Sequence, residues 1–174
     1  MTAGSIYGER LLALAEWMEF SPLGLWIGES RYAYALLEGA HLIGLAAAVG
    51  FLFAVDLRLL GLLFRDVPVR QLTRQLRPWI FWSFGVIFAT GILLFWSSAV
   101  RMLDSPAFAI KTALLFVGLA NAIYFELVSA RSPAIRENRP VLPARVRFAA
   151  ALSLTVWTLT IAAGRMTAYM PHWS

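Results

Sequence analysis

Four long apolar segments constrain this chain most strongly, because each is long enough to cross a lipid bilayer. They cover approximately residues 31–55, 78–100, 107–128 and 148–170. A transmembrane helix needs about 20 mostly apolar residues. Composition agrees, since 60% of the 174 residues are hydrophobic and 14% are charged, whereas a soluble domain carries about 25% charged residues. The sequence therefore predicts an all-α integral membrane protein, with a four-helix transmembrane bundle in residues 31–174.

The first 30 residues precede the bundle and have the spacing of an amphipathic helix. Their apolar and acidic positions lie on roughly opposite faces: Tyr7, Leu11, Leu14 and Met18 against Glu9, Glu16 and Glu19. This pattern is typical of a helix that lies on a membrane surface. Residues 1–30 are therefore predicted to form an amphipathic segment on the outer surface.

A similar pattern follows Pro68, in the loop between the first two spans. One stripe is apolar and the other is basic: Val69, Leu72 and Leu76 against Arg70, Arg74 and Arg77. The pattern predicts a short helix, either interfacial with its arginines at lipid phosphates or solvated within the loop. Pro78 is then expected to open the second span, because proline disrupts the interior of a helix.

Arginine sets the expected orientation of the bundle. Of the 15 basic residues 14 are arginine. Most lie in two loops, with Arg58, Arg65, Arg70, Arg74 and Arg77 before span two, and Arg131, Arg136, Arg139, Arg145 and Arg147 before span four. Cytoplasmic loops carry an excess of Lys and Arg, so both termini are expected outside. Charge placed in this way indicates membrane topology rather than a nucleic-acid-binding surface. The absence of Cys excludes disulfides, thiolate metal sites and c-type haem attachment.

Four ionisable side chains from three spans are expected to gather in the outer half of the bundle. Glu38 and His41 are one helical turn apart on span one, while Lys111 and Arg165 lie near the outer ends of spans three and four. His41 is roughly 15 Å from the outer end of its span. Charged groups are unfavourable inside a bilayer, so those that occur usually face other helices and often mark function.

These residues leave four interpretations open. In a structural one, Glu38 pairs with Arg165, Lys111 extends to the surface and His41 donates one hydrogen bond across helices. In a second, His41 is an axial ligand of b-type haem, Met166 or no residue fills the sixth position, and Lys111 and Arg165 bind the propionates. In a third, Glu38, His41 and methionines bind copper. In a fourth, the Glu38–His41 pair relays protons or a small molecule.

Other residues of span one have expected structural roles. Ala40, Gly44 and Ala48 recur every four residues, a spacing that lets two membrane helices approach closely. Asp56 and Arg58 are expected to close the inner end of the span against the neighbouring loop.

Four stretches of the sequence carry a resemblance to a known family. They are "HLIGLAAAVGFLFAVDLRLLG" (41–61), "RPWIFWSFGVIFATGILLFW" (77–96), "PAFAIKTALLFVGLANAIYF" (106–125) and "AAGRMTAY" (162–169). These resemble an uncharacterised family of four-helix bacterial inner-membrane proteins and, more loosely, copper-resistance D-type and b-type cytochrome membrane domains. The resemblance implies this fold and an inner-membrane location, with no assigned activity. Members often carry a histidine at the inner end of span three, where this chain has Phe125 and Glu126. This departure leaves a single outer-side site around His41.

The sequence therefore predicts a b-type haem-binding membrane protein, an electron-transfer or accessory subunit of a membrane oxidoreductase. His41 is the expected ligand, Met166 a candidate sixth ligand, Lys111 and Arg165 the propionate partners, and Glu38 a group that tunes the site. The alternative is a cofactor-free structural, assembly or transport protein with a Glu–His–Arg network. Expected partners are the lipid bilayer, a second copy of the chain, or a membrane or periplasmic redox protein.

Overall fold

The computed structural model describes residues 8–130, 132–137 and 142–167, and 85% of these are helical with no strand among them. In chain order the helices are α1 (Glu9–Glu19), α2 (Pro22–Glu29), α3 (Arg31–Leu59), α4 (Val69–Trp96), α5 (Ala99–Leu103), α6 (Pro106–Tyr124), α7 (Pro133–Arg136) and α8 (Ala144–Met166). A π-helical turn, Phe125–Ser129, continues α6. In the described residues, α3, α4, α6 with its continuation and α8 are long and apolar enough to span a membrane. The predicted four-helix architecture is confirmed.

Serine caps fix where several of these helices begin. Ser21, Ser30, Ser105 and Ser132 each accept a hydrogen bond through the side chain from a backbone N–H of the first turn. Three of the helices also begin with proline, whose missing N–H costs nothing in the first turn. Ser105 and Pro106 form such a start for the third spanning helix.

The four long helices run in alternating directions, so their ends form two opposite sides of the bundle. The His41 end contains Arg31, Trp96, Pro106 and Met166, and the Asp56 end contains Leu59, Val69, Val128 and Ala144. α3 packs along α4, α6 packs along α8, and contacts between α3 and α8 join the two hairpins. α4 meets α6 mainly through side chains, in the stacked rings of Phe95 and Phe108.

Glycine permits the close approach of helices in both hairpins. A Cβ atom at Gly44 would lie 3.1 Å from Val86 Cγ1, and one at Gly118 would lie 3.0 Å from Trp157 Cζ2. These separations are shorter than ordinary contacts, so larger residues would push the helices apart. Ala48 is fully buried. The prediction of close packing along the Gly44 and Ala48 face of α3 is confirmed.

A compact apolar cluster closes the Asp56 end. It combines residues of α3, α4, α7 and α8 with Leu142, which precedes α8: Val55, Leu59, Val69, Ala134, Ile135, Leu142, Val146 and Ala150. The short helix α7 contributes two of these side chains, so it packs against this end of the bundle. Arg58 of α3 donates a hydrogen bond of 2.7 Å from Nε to the carbonyl oxygen of Val67, so this arginine closes the α3–α4 loop as expected.

The stretch after Pro68 does not form a helix of its own. It is the first part of α4, which continues past Pro78 to Trp96 as one helix. Pro78 removes one N–H and its ring crowds the preceding turn. Packing of Val69 and Leu76 against the apolar cluster holds the residues before the proline in line with those after it. Pro78 therefore lies inside a helix, contrary to the expectation that it opens the second span.

The N-terminal segment forms two helices that dock on the His41 end. The Glu19 side chain accepts a hydrogen bond of 2.8 Å from the backbone N–H of Val100, and Trp96 Nε1 donates one of 3.0 Å to Ser21 Oγ. α1 leaves Leu11, Leu14 and Trp17 exposed. This apolar face agrees with the predicted amphipathic character, and Tyr7 of that pattern lies outside the described residues.

Candidate functional site

The imidazole of His41 is held by α4. His41 Nδ1 lies 3.0 Å from Thr90 Oγ1, and the Thr90 hydroxyl donates to the Val86 carbonyl oxygen at 2.6 Å. Because the only hydroxyl proton is used in that second bond, Thr90 Oγ1 is left to accept a hydrogen bond from the Nδ1–H group of His41. The Ile87 carbonyl, which can only accept, also lies near the ring. This network assigns the proton to Nδ1 and leaves a lone pair on Nε2.

The imidazole of His41 can pack closely against α4 because residue 91 is glycine. A Cβ atom at this position would lie 3.2 Å from His41 Cε1 and 3.6 Å from Nδ1. The edge of the imidazole therefore lies directly on the α4 backbone. Among the described residues, His41 Nε2 has no hydrogen-bond partner, so it is the nitrogen available to an external group.

Lys111 belongs to the same end of the bundle. Its side chain runs across the backbone of α8, and its Nζ would lie 3.8 Å from a Cβ atom at Gly164. Its ammonium group is close enough to His41 to interact with it electrostatically. Within the part of the chain that the structure describes, no acidic side chain forms an ion pair with Lys111. The structure thus brings a histidine and an unpaired lysine together from α3 and α6.

The remaining predicted site residues lie at the margin of this pair. Glu38 is exposed and forms no hydrogen bond or ion pair with a described residue, so the structure does not join it to Arg165. Arg165 is exposed in the last turn of α8, where it does interact with another group. Met166 ends α8 with 42% of its side chain exposed. His172 lies outside the described residues.

The family model described as "Family of unknown function (DUF6644)" matches residues 14–170. The chain belongs to DUF6644. This agrees with the expected uncharacterised four-helix membrane family. Comparison with curated proteins and with solved structures gives no match. The function of this DUF6644 member has therefore to be argued from its own residues.

Other polar side chains of the DUF6644 bundle have structural partners. Asn121 of α6 donates a hydrogen bond of 3.0 Å to the Ala149 carbonyl oxygen of α8. Arg77 and Glu126 form an exposed ion pair of 3.1 Å between α4 and the π-helical turn. In the described residues, no group of three or more His, Cys, Asp or Glu side chains lies together. A metal bound at His41 would therefore need ligands of another kind, such as methionine or the ring nitrogens of a porphyrin.

Thr90 and Gly91 are the site residues that sequence reasoning missed. Thr90 had the spacing of an ordinary packing residue with Ser83 and Ser97, and Gly91 carried no polar signal. Knowing which residues of α3 and α4 face each other would have identified Thr90 and Gly91, because both lie opposite His41. The arrangement offers one oriented imidazole lone pair and one ammonium group without an acidic partner among the described residues, a combination suited to a ligand that brings both a metal and an anionic group.

Proposed function

We propose that this DUF6644 member is a b-type haem-binding membrane protein, an electron-transfer or accessory subunit of a membrane oxidoreductase. The observation that carries the proposal is the His41–Thr90 hydrogen bond, which leaves Nε2 of His41 with a free lone pair. Histidines that bind metals almost always donate their other ring N–H to a protein acceptor, which fixes tautomer and orientation.

The charge near His41 supports the same ligand. Lys111 has no acidic partner in the described residues, and Arg165 lies in the last turn of α8 at the same end. An ammonium group inside a membrane requires an anionic partner or water. The carboxylates of haem propionates would supply one. Haem, when bound, supplies one-electron redox chemistry at its iron.

Each residue then has a defined task. His41 binds the metal, Thr90 holds the Nδ1 proton, and Gly91 leaves room for the ring. Lys111 and Arg165 bind the propionates, and Glu38 tunes the site from its exposed edge. Met166 would be a candidate further ligand to the metal, through its thioether sulfur. Copper is the alternative metal, because imidazole and thioether are suitable ligands for it.

We further propose a bacterial inner-membrane location, with the His41 end facing the periplasm and both termini on that side. The distribution of arginine supports this orientation. Arg70, Arg74 and Arg77 are exposed at the Asp56 end, where cytoplasmic positive charge is expected. A redox partner would then approach the His41 end.

An absorption spectrum of the detergent-purified full chain tests the haem proposal, recorded oxidised and then dithionite-reduced, with total metal analysis on the same sample. The expected result is a Soret band that sharpens on reduction, with equimolar iron, and that is lost in His41→Ala. Glu126→Gln, at the opposite end, is the matched control and should keep the band. A featureless spectrum without iron or copper, from protein shown not to have lost cofactor, would favour a cofactor-free structural or transport protein.

A further inference from the structure

Asp56 is the one carboxyl group that is buried among the described residues. It lies on α3 near the apolar cluster with 4% of its surface exposed. Its Oδ2 atom is buried and has no hydrogen-bond partner. Asp56 is 15 residues beyond His41 on the same helix, about 22 Å along its axis. It therefore belongs to a different site from the one around His41.

Among the described residues, no basic side chain forms an ion pair with Asp56. Arg58, on the same helix, uses Nε to bind the Val67 carbonyl oxygen. The arginines of the neighbouring helices are exposed instead of facing inward: Arg70, Arg74 and Arg77 on α4, and Arg145 and Arg147 on α8. Among described residues the ion pair at this end is Arg77–Glu126, which does not include Asp56. An ionised carboxylate buried in this way is strongly unfavourable unless a cation accompanies it.

Two buried hydroxyl groups of neighbouring helices lie at this end of the bundle. Ser153 of α8 is buried, and its hydroxyl faces the Asp56 carboxyl group. Thr73 of α4 has a buried hydroxyl oxygen without a hydrogen-bond partner. The hydrogen bond between His41 and Thr90 and the ring contact between Phe51 and Trp79 set the antiparallel register of α3 and α4. Continued to the Asp56 end, this register places Thr73 at the level of Asp56.

Thr73 differs from the other threonines of the long helices. Five of them donate their hydroxyl to the carbonyl oxygen four residues earlier in their own helix: Thr90, Thr112, Thr155, Thr158 and Thr160. That bond is the usual way for a membrane helix to satisfy a hydroxyl group. The Thr73 oxygen does not make it, so its lone pairs remain available to a ligand.

We propose that Asp56, Thr73 and Ser153 form a binding site for a small monovalent cation, sodium or a proton, at the Asp56 end of the bundle. The donors are carboxylate and hydroxyl oxygens from three helices, which suit a hard cation. A single carboxylate balances one positive charge. Divalent cations usually take more acidic ligands, and the described residues hold no such group.

Carbodiimide labelling of the detergent-purified full chain tests this proposal. Dicyclohexylcarbodiimide reacts with protonated carboxyl groups in apolar surroundings, and mass spectrometry of the peptides locates the product. We expect labelling at Asp56 in sodium-free buffer containing choline chloride. A sodium site predicts that NaCl at equal ionic strength slows the labelling and raises the unfolding temperature. A proton site predicts labelling that falls with rising pH and does not respond to sodium.

Substitutions at the three proposed binding residues, together with one control, test which side chains bind the cation. Asp56→Asn should lose the label and any sodium effect, while Ser153→Ala and Thr73→Val should each weaken apparent affinity for sodium about tenfold. Thr155→Val is the matched control, because its exposed hydroxyl bonds within α8. The proposal is overturned if Asp56 stays unlabelled and sodium does not stabilise the wild-type chain. It is also overturned if Asp56→Asn keeps the sodium effect, or if Ser153→Ala and Thr73→Val both respond to sodium with the affinity of the wild type.

Discussion

His41 on α3 and Thr90 on α4 are joined by a hydrogen bond of 3.0 Å that fixes the rotation of the imidazole. Thr90 can accept this proton because its own is donated to Val86 at 2.6 Å. The chain thus uses a second residue to hold the histidine ring, while Nε2 has no hydrogen-bond partner among the described residues. Such a pair is typical of a histidine prepared for a ligand.

Thr90→Val tests that relationship. Valine has nearly the same shape and cannot accept the Nδ1 proton, so haem affinity is expected to fall by about 10- to 100-fold. Haem titration followed by absorbance measures this. Thr158→Val is the control, since its hydroxyl bonds to its own helix and is exposed. Equal affinity in Thr90→Val and wild type would show that the hydrogen bond does not prepare His41 for a metal.

Gly91→Ala should destabilise the chain. Its new Cβ would lie 3.2 Å from His41 Cε1, so the ring or the helix must shift. Gly85→Ala on the same helix meets nothing within 4 Å, and should be neutral or stabilising by up to about 1 kcal/mol through helix propensity. Thermal unfolding in detergent compares the two. Identical changes in unfolding temperature in both variants would mean that packing of the His41 ring does not require glycine at position 91.

Sequence reasoning recovered the features of this fold that depend on local patterns. The spans predicted to start at about residues 31 and 107 correspond to helices that begin at Arg31 and Pro106, directly after the capping residues Ser30 and Ser105. The close packing at Gly44 follows from small residues at helical spacing. Each of these is decided by a few neighbouring residues, so the sequence contains the information directly.

Features that depend on the rotation and register of packed helices were missed. Glu38 is one turn from His41, yet three residues rotate a side chain by roughly 60° short of a full turn, and Glu38 is exposed while His41 faces α4. Pro78 lies inside α4 because tertiary packing outweighs its helix-breaking tendency. The lack of a partner for Asp56 Oδ2 among the described residues depends on how α3 packs against α4 and α8, which the sequence of span one alone does not contain.

Gly118→Leu should separate α6 from α8. A Cβ at this position would already lie 3.0 Å from Trp157 Cζ2 and 3.4 Å from Val156 Cγ1, and Trp157 is buried. Overpacking of this kind costs typically about 1–3 kcal/mol. A lowered unfolding temperature with the control Gly50→Leu unchanged is the expected result, because Gly50 has nothing within 4 Å. If both variants unfold alike, the α6–α8 contact does not limit stability.

Glu19→Gln should loosen the N-terminal helices. The carboxylate accepts a hydrogen bond of 2.8 Å from Val100 N–H at the start of α5. Hydrogen bonds to charged groups contribute about 1.5–3 kcal/mol, and the neutral amide keeps only part of this. Limited proteolysis should therefore cut the α1–α2 region faster than in the wild type. Glu16→Gln, at an exposed position on the same helix, is the control and should leave the cleavage rate unchanged.

Lys111→Met should move ligand affinity and stability in opposite directions. Methionine fills the same space across Gly164 without a charge, so the unfolding temperature of the ligand-free chain should stay equal or rise. Haem affinity should fall, because the propionates lose a cation, and Lys111→Arg should recover part of it. Haem titration and thermal unfolding on the same preparations measure both quantities. A loss of stability with unchanged haem affinity would instead assign Lys111 a structural role between α6 and α8.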